Sequence, residues 1–517
     1  MPETGSAPPQ QIAQFRSDGI TAATGLRIPF FSDDFSRAYG LPPARIVNMM
    51  SEATPLREER PYVPLVGLRE IRYSRPGLVP FVSCGSGPIR GMAISPPFLL
   101  AIPFFVSGNT FYDANGTARG SCPGTDRVRF AASASQMVAV SEGVAYLCDD
   151  GTGGVFTPFP LTASWIADGS ALPPVSDVAW IGDRFVYSVL GTSMFYYSEV
   201  NDAANVPGLN FESTEATPAP ILGLTVWNDQ LCAFTSQSVE FFALSGSADA
   251  PFTPQNGLGF QRGCASRDAI AYADNAIFWV GENRVVYRSA PSPTRISSNS
   301  IEDKLRQCAD ISTLSAFVVS FEGHELYVLT IPGVGTYAYD ISRIGTTIST
   351  YGDSYSRGEW DEWQSWGAPV FRGQAGIMAG GVAYVGDNAS AAVFTMKMGV
   401  YTDAGGPLVR QVSSFIKIEE GNPRCLNFVL QCVAGVGNPS GAGMNPVAEM
   451  RFSDDLGGTF TAWRETSLGV QGGYATRAMW QRLGRMRAPG RLVEIRVSDP
   501  VNACFSHLEL NASRPAW

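Results

Sequence analysis

The chain of 517 residues has few charged side chains and almost no lysine or histidine. Charged residues make up 16% of it, whereas an average soluble domain has about 25%. Only three of its 37 basic residues are lysines, and His324 and His507 are its two histidines. Two histidines exclude a multi-histidine metal site. The nine cysteines include no C-x-x-C pair, which excludes a zinc ribbon or a thioredoxin-like motif and predicts small packing residues in a reducing compartment.

Long apolar runs are also missing. The longest, from Phe98 to Val106, has nine residues and contains Pro103, whereas a membrane-spanning helix needs about 20. We therefore predict no membrane-spanning segment. The polar, proline-containing start of the chain, up to Gln11, predicts no signal peptide. The net charge of −10 is the opposite of what a tight DNA-binding protein normally carries.

Glycine and proline are abundant, with 54 and 36 copies. Both residues interrupt helices, at a cost of about 1 and 3 kcal/mol respectively, so a long helical bundle is excluded. Hydrophobic residues make up 45% of the chain, enough to exclude disorder for most of it. The composition predicts a turn-rich, all-β protein.

A unit of short apolar strands separated by Gly, Asn or Asp turns recurs along the chain. The clearest copies are residues 178–197, 222–242 and 270–287, and all copies start near positions 92, 137, 178, 222, 270, 314 and 377. This spacing suits the blades of a β-propeller, which need about 40–50 residues each. We predict a six- or seven-bladed β-propeller over residues 86–399, with a β-sandwich as the alternative.

The flanks of this repeat contain longer strands, such as 410–418, 426–434 and 492–498. We expect residues 21–85 and 400–517 to form one discontinuous, β-sandwich-like platform domain in which the propeller is inserted. Residues 1–20 are predicted to be a polar N-terminal tail. One helix is predicted, with Ser300 as its N-cap and Arg306 at its end.

The best local motif is an Asp-box, S-x-D-x-G-x-T-F, formed by Ser453, Asp455, Gly457, Thr459 and Phe460. Its chemistry is structural. The serine and aspartate side chains accept backbone N–H bonds across a tight hairpin, the glycine takes the turn position, and the phenylalanine anchors the turn in apolar contacts. Sialidases contain such boxes, but so do β proteins without enzymatic activity. The motif therefore predicts a hairpin.

Two further features can be interpreted either as functional sites or as ordinary parts of the fold. Glu359, Asp361 and Glu362 lie between tryptophans and could include a retaining glycosidase pair, but an exposed, charged strand edge is the favoured interpretation. His324 lies in a predicted hairpin and is expected to be a solvated turn residue.

Arginines cluster near the C-terminus, where Glu494 is the one nearby acidic residue. The cluster contains Arg477, Arg482, Arg485, Arg487, Arg491 and Arg496. Arginine suits protein interfaces because its planar guanidinium pairs with carboxylates in a bidentate manner. Nucleic-acid binding would require interleaved aromatic residues, and only Trp480 is present. We therefore favour a subunit or adaptor interface with an acidic partner over DNA.

Several segments together resemble one protein family. The runs 451–460, 467–469, 472–477, 480–484 and 494–500 are similar to the closing region of the tail nozzle, or packaged-DNA stabilisation, proteins of short-tailed bacteriophages. Residues 276–281 and 295–302 resemble the central region of that family. Residues 88–91 and 108–112 resemble its first blade. The resemblance extends from about residue 40 to 510, and departs from the family in the N-terminal extension and the glycine-rich loop 435–445.

The resemblance implies a propeller joined to a platform and assembled as a homo-hexameric ring. Such a ring extends the DNA channel below the head-to-tail adaptor ring, retains packaged DNA and guides genome ejection. Tail fibres or spikes, and a tail plug or needle, are the further partners implied. The protein would be part of the virion after assembly in the host cytoplasm, with no enzymatic activity and no cofactor. Double-stranded DNA would pass without tight binding, because an acidic channel wall repels phosphates. The alternative function is a carbohydrate-binding or sialidase-like propeller.

Overall fold

Short strands make up most of the computed structural model. It describes residues 13–15, 23–30, 45–53, 70–99, 101–159, 173–247, 251–255, 257–289, 292–343, 347–348, 354–355, 360–418 and 421–513. The N-terminal strands are β1 (Ala13–Phe15), β2 (Ala23–Pro29), β3 (Ile46–Val47), β4 (Met49–Ala53), β5 (Glu70–Ser74) and β6 (Gly77–Ser83).

Four-stranded antiparallel units follow, five of which are separate sheets. The first contains β7 (Ile89–Ile94), β8 (Pro103–Ser107), β9 (Thr110–Asp113) and β10 (Ala118–Ser121), and the second contains β11 (Arg129–Ala132), β12 (Gln136–Ser141), β13 (Val144–Asp149) and β14 (Thr157–Pro158). The third contains β15 (Val175–Ile181), β16 (Arg184–Val189), β17 (Met194–Tyr197) and β18 (Phe211–Ser213). The fourth contains β19 (Ile221–Trp227), β20 (Gln230–Thr235), β21 (Val239–Leu244) and β22 (Phe252–Pro254). The fifth contains β23 (Ala271–Ala273), β24 (Ala276–Val280), β25 (Val286–Ser289) and β26 (Pro293–Arg295).

Two more units are parts of larger sheets. Helix α1 (Asn299–Gln307) precedes the sixth, which contains β27 (Ser315–Phe321), β28 (His324–Ile331) and β29 (Gly335–Asp340). A two-stranded sheet, β30 (Thr347–Ile348) and β31 (Ser354–Tyr355), comes before the fourth strand of the sixth unit, β32 (Trp360–Trp363). The seventh contains β33 (Gly373–Ala379), β34 (Val382–Asp387) and β35 (Ala392–Lys397). Single 3₁₀ turns cover Pro97–Leu99, Arg267–Ala269, Ile311–Thr313 and Ile341–Arg343.

The first strands of these units form a closed ring. Strand β7 contacts β11, β11 contacts β15, β15 contacts β19, and β19 contacts the 3₁₀ turn Arg267–Ala269 of the fifth unit. Strand β23 contacts β27, β27 contacts β33, and β33 returns to β7. The predicted β-propeller is therefore confirmed. The second unit begins at β11, one strand before the repeat start near residue 137.

Strand β6 closes the ring. It runs antiparallel to β35, with Leu78 opposite Met396, and thereby completes the sheet of the seventh unit. Residues 77–83 were assigned by the sequence to the first part of the platform, but their hydrogen bonds place them in the propeller. The other domain bounds predicted from the sequence remain predictions.

The platform combines strands from both ends of the chain. Its C-terminal strands are β36 (Thr402–Asp403), β37 (Gly406–Pro407), β38 (Arg410–Ile418), β39 (Cys425–Cys432), β40 (Val447–Ser453), β41 (Arg464–Ser467), β42 (Met479–Gln481), β43 (Gly490–Val497) and β44 (Cys504–Ala512). One sheet has the order β38-β43-β40-β41, and β3 joins it to β32 of the propeller. The other has the order β4-β5-β44-β39-β42, with β2 paired to β44. The apolar core between the two sheets includes Ile416, Phe428, Trp480 and Phe505.

Helix α1 begins at a different cap from the predicted one. The Ser298 side chain, in extended backbone conformation, accepts a hydrogen bond from Ile301 N, so Ser298 and not Ser300 is the N-cap. All nine cysteines are free, six of them buried. In the described parts of the chain, no helix is both long and apolar enough to cross a membrane.

Candidate functional site

The Asp-box forms a tight turn after β40. Ser453 Oγ accepts a hydrogen bond from Gly457 N at 2.9 Å and donates one to Asp455 Oδ1 at 2.6 Å. Both carboxylate oxygens of Asp455 accept from Thr459, from its backbone N–H at 2.8 Å and from its hydroxyl at 2.6 Å. These bonds favour the ionised form and lower the pKa of Asp455 to about 2. Gly457 has a φ of 94°, a left-handed conformation that glycine adopts without steric cost.

The aromatic residue of the box packs against a cation. The Arg451 guanidinium lies 4.1 Å from the centre of the Phe460 ring and 4.6 Å from that of Trp463. It also donates to Glu494 Oε2 at 2.6 Å. The sequence predicted apolar contacts for Phe460, and a cation–π contact replaces them in part.

Asp454, which lies between Ser453 and Asp455, connects the Asp-box to the arginine cluster. Asp454 accepts two hydrogen bonds from the Arg491 guanidinium, at 2.7 and 2.8 Å. The same guanidinium donates to the carbonyl oxygens of Leu483 and Arg485, at 2.8 and 3.2 Å. Arg491 is buried, at 1% exposure. Its guanidinium therefore holds the loop 482–487 in place from the protein interior, and the Arg491 side chain is not accessible to a partner protein.

Three predicted arginines of that loop, Arg482, Arg485 and Arg487, are exposed. Two more exposed arginines from distant parts of the chain lie beside them. Arg424 forms a β-bridge with Arg485, and Arg464 donates to the carbonyl oxygen of Arg482 at 3.3 Å. These five residues are called the arginine surface below. Among the described residues, none of the five forms an ion pair with a carboxylate.

Two predicted members of the cluster lie elsewhere. Arg477 is exposed but precedes β42, whereas Arg482 follows it, so the two residues lie at opposite ends of that strand, roughly 16 Å apart along an extended chain. Arg496 is bound to Glu449 by two hydrogen bonds, at 2.7 and 3.1 Å, and stacks on Trp463. The sequence did not point to Arg424 and Arg464, because only the pairing of the strands brings them to the loop.

The carboxylates considered for glycoside chemistry are part of the fold. Asp361 is 5% exposed, and Glu362 accepts two hydrogen bonds from Arg45, at 3.0 and 2.9 Å. Their strand, β32, has a neighbour on each side, so the predicted exposed edge is wrong. Glu359 lies outside the described residues.

His324 is not a solvated turn residue. It begins β28, and its Nδ1 lies 2.7 Å from Asp340 Oδ2. The hydrogen bond to the aspartate raises the pKa of His324. The Tyr73 ring of the platform lies 6.2 Å from the imidazole, so this histidine is at the junction of propeller and platform.

Comparison with known proteins identifies relatives of the chain. A family model described as "Bacteriophage P22 Gp10, beta-propeller" matches residues 74–401, more than half of the chain. The tail hub protein gp10 of Salmonella phage P22 is 23% identical over 406 residues, which cover 74% of this chain and 79% of the phage protein.

The solved structures that match the chain are more distant. BamB from Moraxella catarrhalis has a TM-score of 0.38 and 11% identity, and covers 68% of this chain and 98% of its own. YCF48 from Cyanidioschyzon merolae has a TM-score of 0.37 and 13% identity, and covers 62% of this chain and 99% of its own. At these TM-scores neither similarity supports a functional conclusion.

Proposed function

The chain belongs to the Bacteriophage P22 Gp10 β-propeller family and is a structural tail protein of a short-tailed phage, and on that premise we propose that it forms the tail nozzle. The match over residues 74–401 is the observation that carries this function. Because the family consists of structural tail proteins, the prediction that the chain is not an enzyme is confirmed by its membership. Membership of this family argues against the glycosidase alternative.

The proposed nozzle is a homo-hexameric ring below the head-to-tail adaptor ring. A contact between two different surfaces of one chain must close into a ring or continue as a filament, and a tail that conducts DNA requires the ring. Tail fibres or spikes, and a plug or needle, complete the proposed set of partners. The finished protein is a component of the virion, and we propose that it assembles in the host cytoplasm.

We place one contact of this assembly at the arginine surface. Its five guanidinium groups have no ion-pair partner among the described residues, although the whole chain carries a net charge of −10. Arg482 also has a φ of 58°, a conformation that costs a non-glycine residue about 1–2 kcal/mol. Such local strain is typical of functional positions. An acidic surface on a neighbouring subunit or on the adaptor would supply the missing carboxylates.

The proposed channel conducts DNA by repulsion. Arginines on a channel wall would neutralise phosphates, release counterions and slow the exit of the genome. Retention of packaged DNA before ejection must then depend on a physical closure, such as the plug or a narrow loop. The arginine surface is accordingly assigned to a protein contact and not to the channel wall.

The test is assembly of a variant with three reversed charges, Arg482→Glu, Arg485→Glu and Arg487→Glu. We expect monomers that fold normally, because all three side chains are exposed, but tails that fail to assemble. Circular dichroism measures the folding, and electron microscopy of particles from complemented infections measures the assembly.

The matched control has the same change in charge outside the platform, with Lys304→Glu, Arg306→Glu and Lys397→Glu. These residues lie on α1 and β35, and the control variant is expected to assemble. Normal particles from the first variant would show that the arginine surface is not an assembly contact. The nozzle function would then still stand on the family match, and only its proposed interface would be lost.

A further inference from the structure

The first strands of the propeller units surround a cavity of about 600 Å³, called the propeller tunnel below. All seven units contribute to its lining. The volume lies in the range of about 300–1,000 Å³ that is typical of small-molecule sites. It is too small for a DNA duplex, so the tunnel is not the path of the genome.

Charged residues line one end of the propeller tunnel. Arg127 and Arg129 lie at the start of β11, Asp177 near the start of β15, and Asp268 before β23. Trp180 lies three residues beyond Asp177 on β15, about 10 Å at the rise of an extended strand, and Tyr272 lies on β23, which follows the 3₁₀ turn that contains Asp268. The tunnel therefore has a charged end and an aromatic end.

Side chains connect units at the charged end, both across the ring and between neighbours. Arg267 donates to the carbonyl oxygens of Ser176 and Arg127, the latter at 2.6 Å. Gln374 donates to the carbonyl oxygen of Ile89 at 2.6 Å. These bonds hold the first, second, third, fifth and seventh units together, so the positions of the charged groups are fixed in advance of any binding.

The charges at this end are not fully paired. Arg129 lies 3.4 Å from Asp177 and 3.9 Å from Asp268, and Arg267 lies 3.5 Å from Asp268. Arg127 donates one hydrogen bond, to the carbonyl oxygen of Gln374 at 2.6 Å, and forms no ion pair within the described part of the chain. Burial lowers the pKa of its guanidinium, the Asp268 carboxylate opposes this shift, and Arg129 and Arg267 add to it. The Arg127 side chain is only partly buried, and its nearest carboxylate, Asp268, also pairs with Arg129 and Arg267. Within the described part of the chain, four of the five N–H donors of Arg127 have no protein partner.

We propose that the propeller tunnel binds a small molecule through one oxyanion, a phosphate or carboxylate group, held by Arg127. Arginine recognises both groups through paired N–H donors. The apolar body of the ligand lies toward Trp180 and Tyr272, which also line the cavity. A purely structural role accounts for Arg267, whose guanidinium donates to two other units and lies 3.7 Å from Asp126 and 3.5 Å from Asp268. It leaves most donors of Arg127 without a protein partner among the described residues.

The experiment measures binding of inorganic phosphate and of phenyl phosphate to the full-length chain by isothermal titration calorimetry. We expect one site per chain, with tighter binding of phenyl phosphate because its ring contacts the aromatic end. Arg127→Gln is expected to weaken binding about tenfold or more, since a charge-assisted hydrogen bond contributes about 1.5–3 kcal/mol. Arg306→Gln, on the exposed face of α1, should leave the affinity unchanged.

The arginine surface could also bind phosphate, and a second control separates the two sites. The variant with Arg482→Glu, Arg485→Glu and Arg487→Glu should retain full affinity for phenyl phosphate. The proposal is overturned if the wild-type chain binds neither probe, if Arg127→Gln binds as well as wild type, or if the triple variant loses the binding.

Arg127→Gln could fail to fold, because Arg127 connects two units. In that case, a structure of the wild-type chain with phenyl phosphate decides. A phosphate oxygen within hydrogen-bond distance of the Arg127 guanidinium supports the proposal. A tunnel without the ligand under saturating phenyl phosphate contradicts it.

Discussion

Arg75 is a fully buried residue where platform and propeller meet. Its guanidinium donates to Asn48 Oδ1 at 2.8 Å, to the carbonyl oxygen of Gln364 at 3.1 Å and to Asp403 Oδ1 at 3.1 Å. The rings of Trp363 and Phe371 lie 5.5 and 4.8 Å away. One side chain thus joins the residue between β3 and β4, the sixth unit, the segment that leads into the seventh unit and strand β36.

Replacing this arginine by methionine should destabilise the protein by about 3–5 kcal/mol, because Asp403, at 4% exposure, would be left as a buried charge without its partner. The measurement is the midpoint and slope of urea unfolding. Arg288→Met is the matched control. It removes a pair with Asp274 at 2.9 Å whose carboxylate is more than half exposed, and such surface pairs contribute about 0–1 kcal/mol.

A double variant tests the cause. Asp403→Asn keeps a side-chain oxygen for the hydrogen bond from Trp366 N but removes the charge. Arg75→Met with Asp403→Asn should therefore be more stable than Arg75→Met alone. Equal or lower stability of the double variant would show that lost packing, and not the unpaired carboxylate, dominates the effect.

Strand β6 is the element on which closure of the propeller depends. Leu78 is 1% exposed and packs in a cluster with Phe394 and Met396 of the neighbouring strand β35. The pairing of β6 with β35, called the seam below, closes the ring. Leu78→Ala should lower the free energy of unfolding by about 2–5 kcal/mol, because it leaves a cavity at this seam. Phe81→Ala, on the same strand but 42% exposed, should cost about 1 kcal/mol or less. Urea unfolding of both variants measures the difference, and equal losses would contradict the role of the seam.

The elements that could be predicted from the sequence are those determined by residues close together in the chain. Strand β38 covers residues 410–418 as predicted, and the Asp-box residues form the predicted turn, because alternation and turn residues act over short distances. The start of the second unit was missed because β11 is a four-residue strand that contains Arg129. The position of β6 and the two arginines that complete the arginine surface, Arg424 and Arg464, were beyond prediction. Leu78 and Met396, or Arg424 and Arg485, meet only through long-range strand pairing. The family resemblance supplied the function, which periodicity alone could not.

At the scale of the whole molecule, charge is unevenly distributed. The chain has 47 acidic and 37 basic residues, yet five arginines without an ion-pair partner among the described residues lie together on the platform. In the proposed hexamer, the excess of ten acidic residues per chain becomes about 60 negative charges. Free charges act over about 8 Å at physiological salt, so only the groups that line the channel affect DNA.

We therefore expect assembled rings to bind double-stranded DNA only weakly at about 150 mM salt, because the arginine surface is then covered by a partner. The isolated chain should bind DNA more tightly than the ring. The variant with Arg482→Glu, Arg485→Glu and Arg487→Glu should remove that difference. Binding across a salt series measures both. Tight binding by rings, with an affinity that falls steeply as salt rises, would contradict the repulsive channel.

The pairing of β6 with β35 also determines when a newly made chain can finish folding. The ribosome makes Gly77 320 residues before Lys397, its partner in the register. At about 5–20 residues per second, β6 waits roughly 15–60 s for the strand that it must pair with. During that time its backbone is an open sheet edge, which a second nascent chain on the same messenger could occupy. Pairing of β6 with β35 is thus the last step by which a new chain closes its own propeller. Chains that capture the β35 of a neighbour become linked, domain-swapped products before any tail is built.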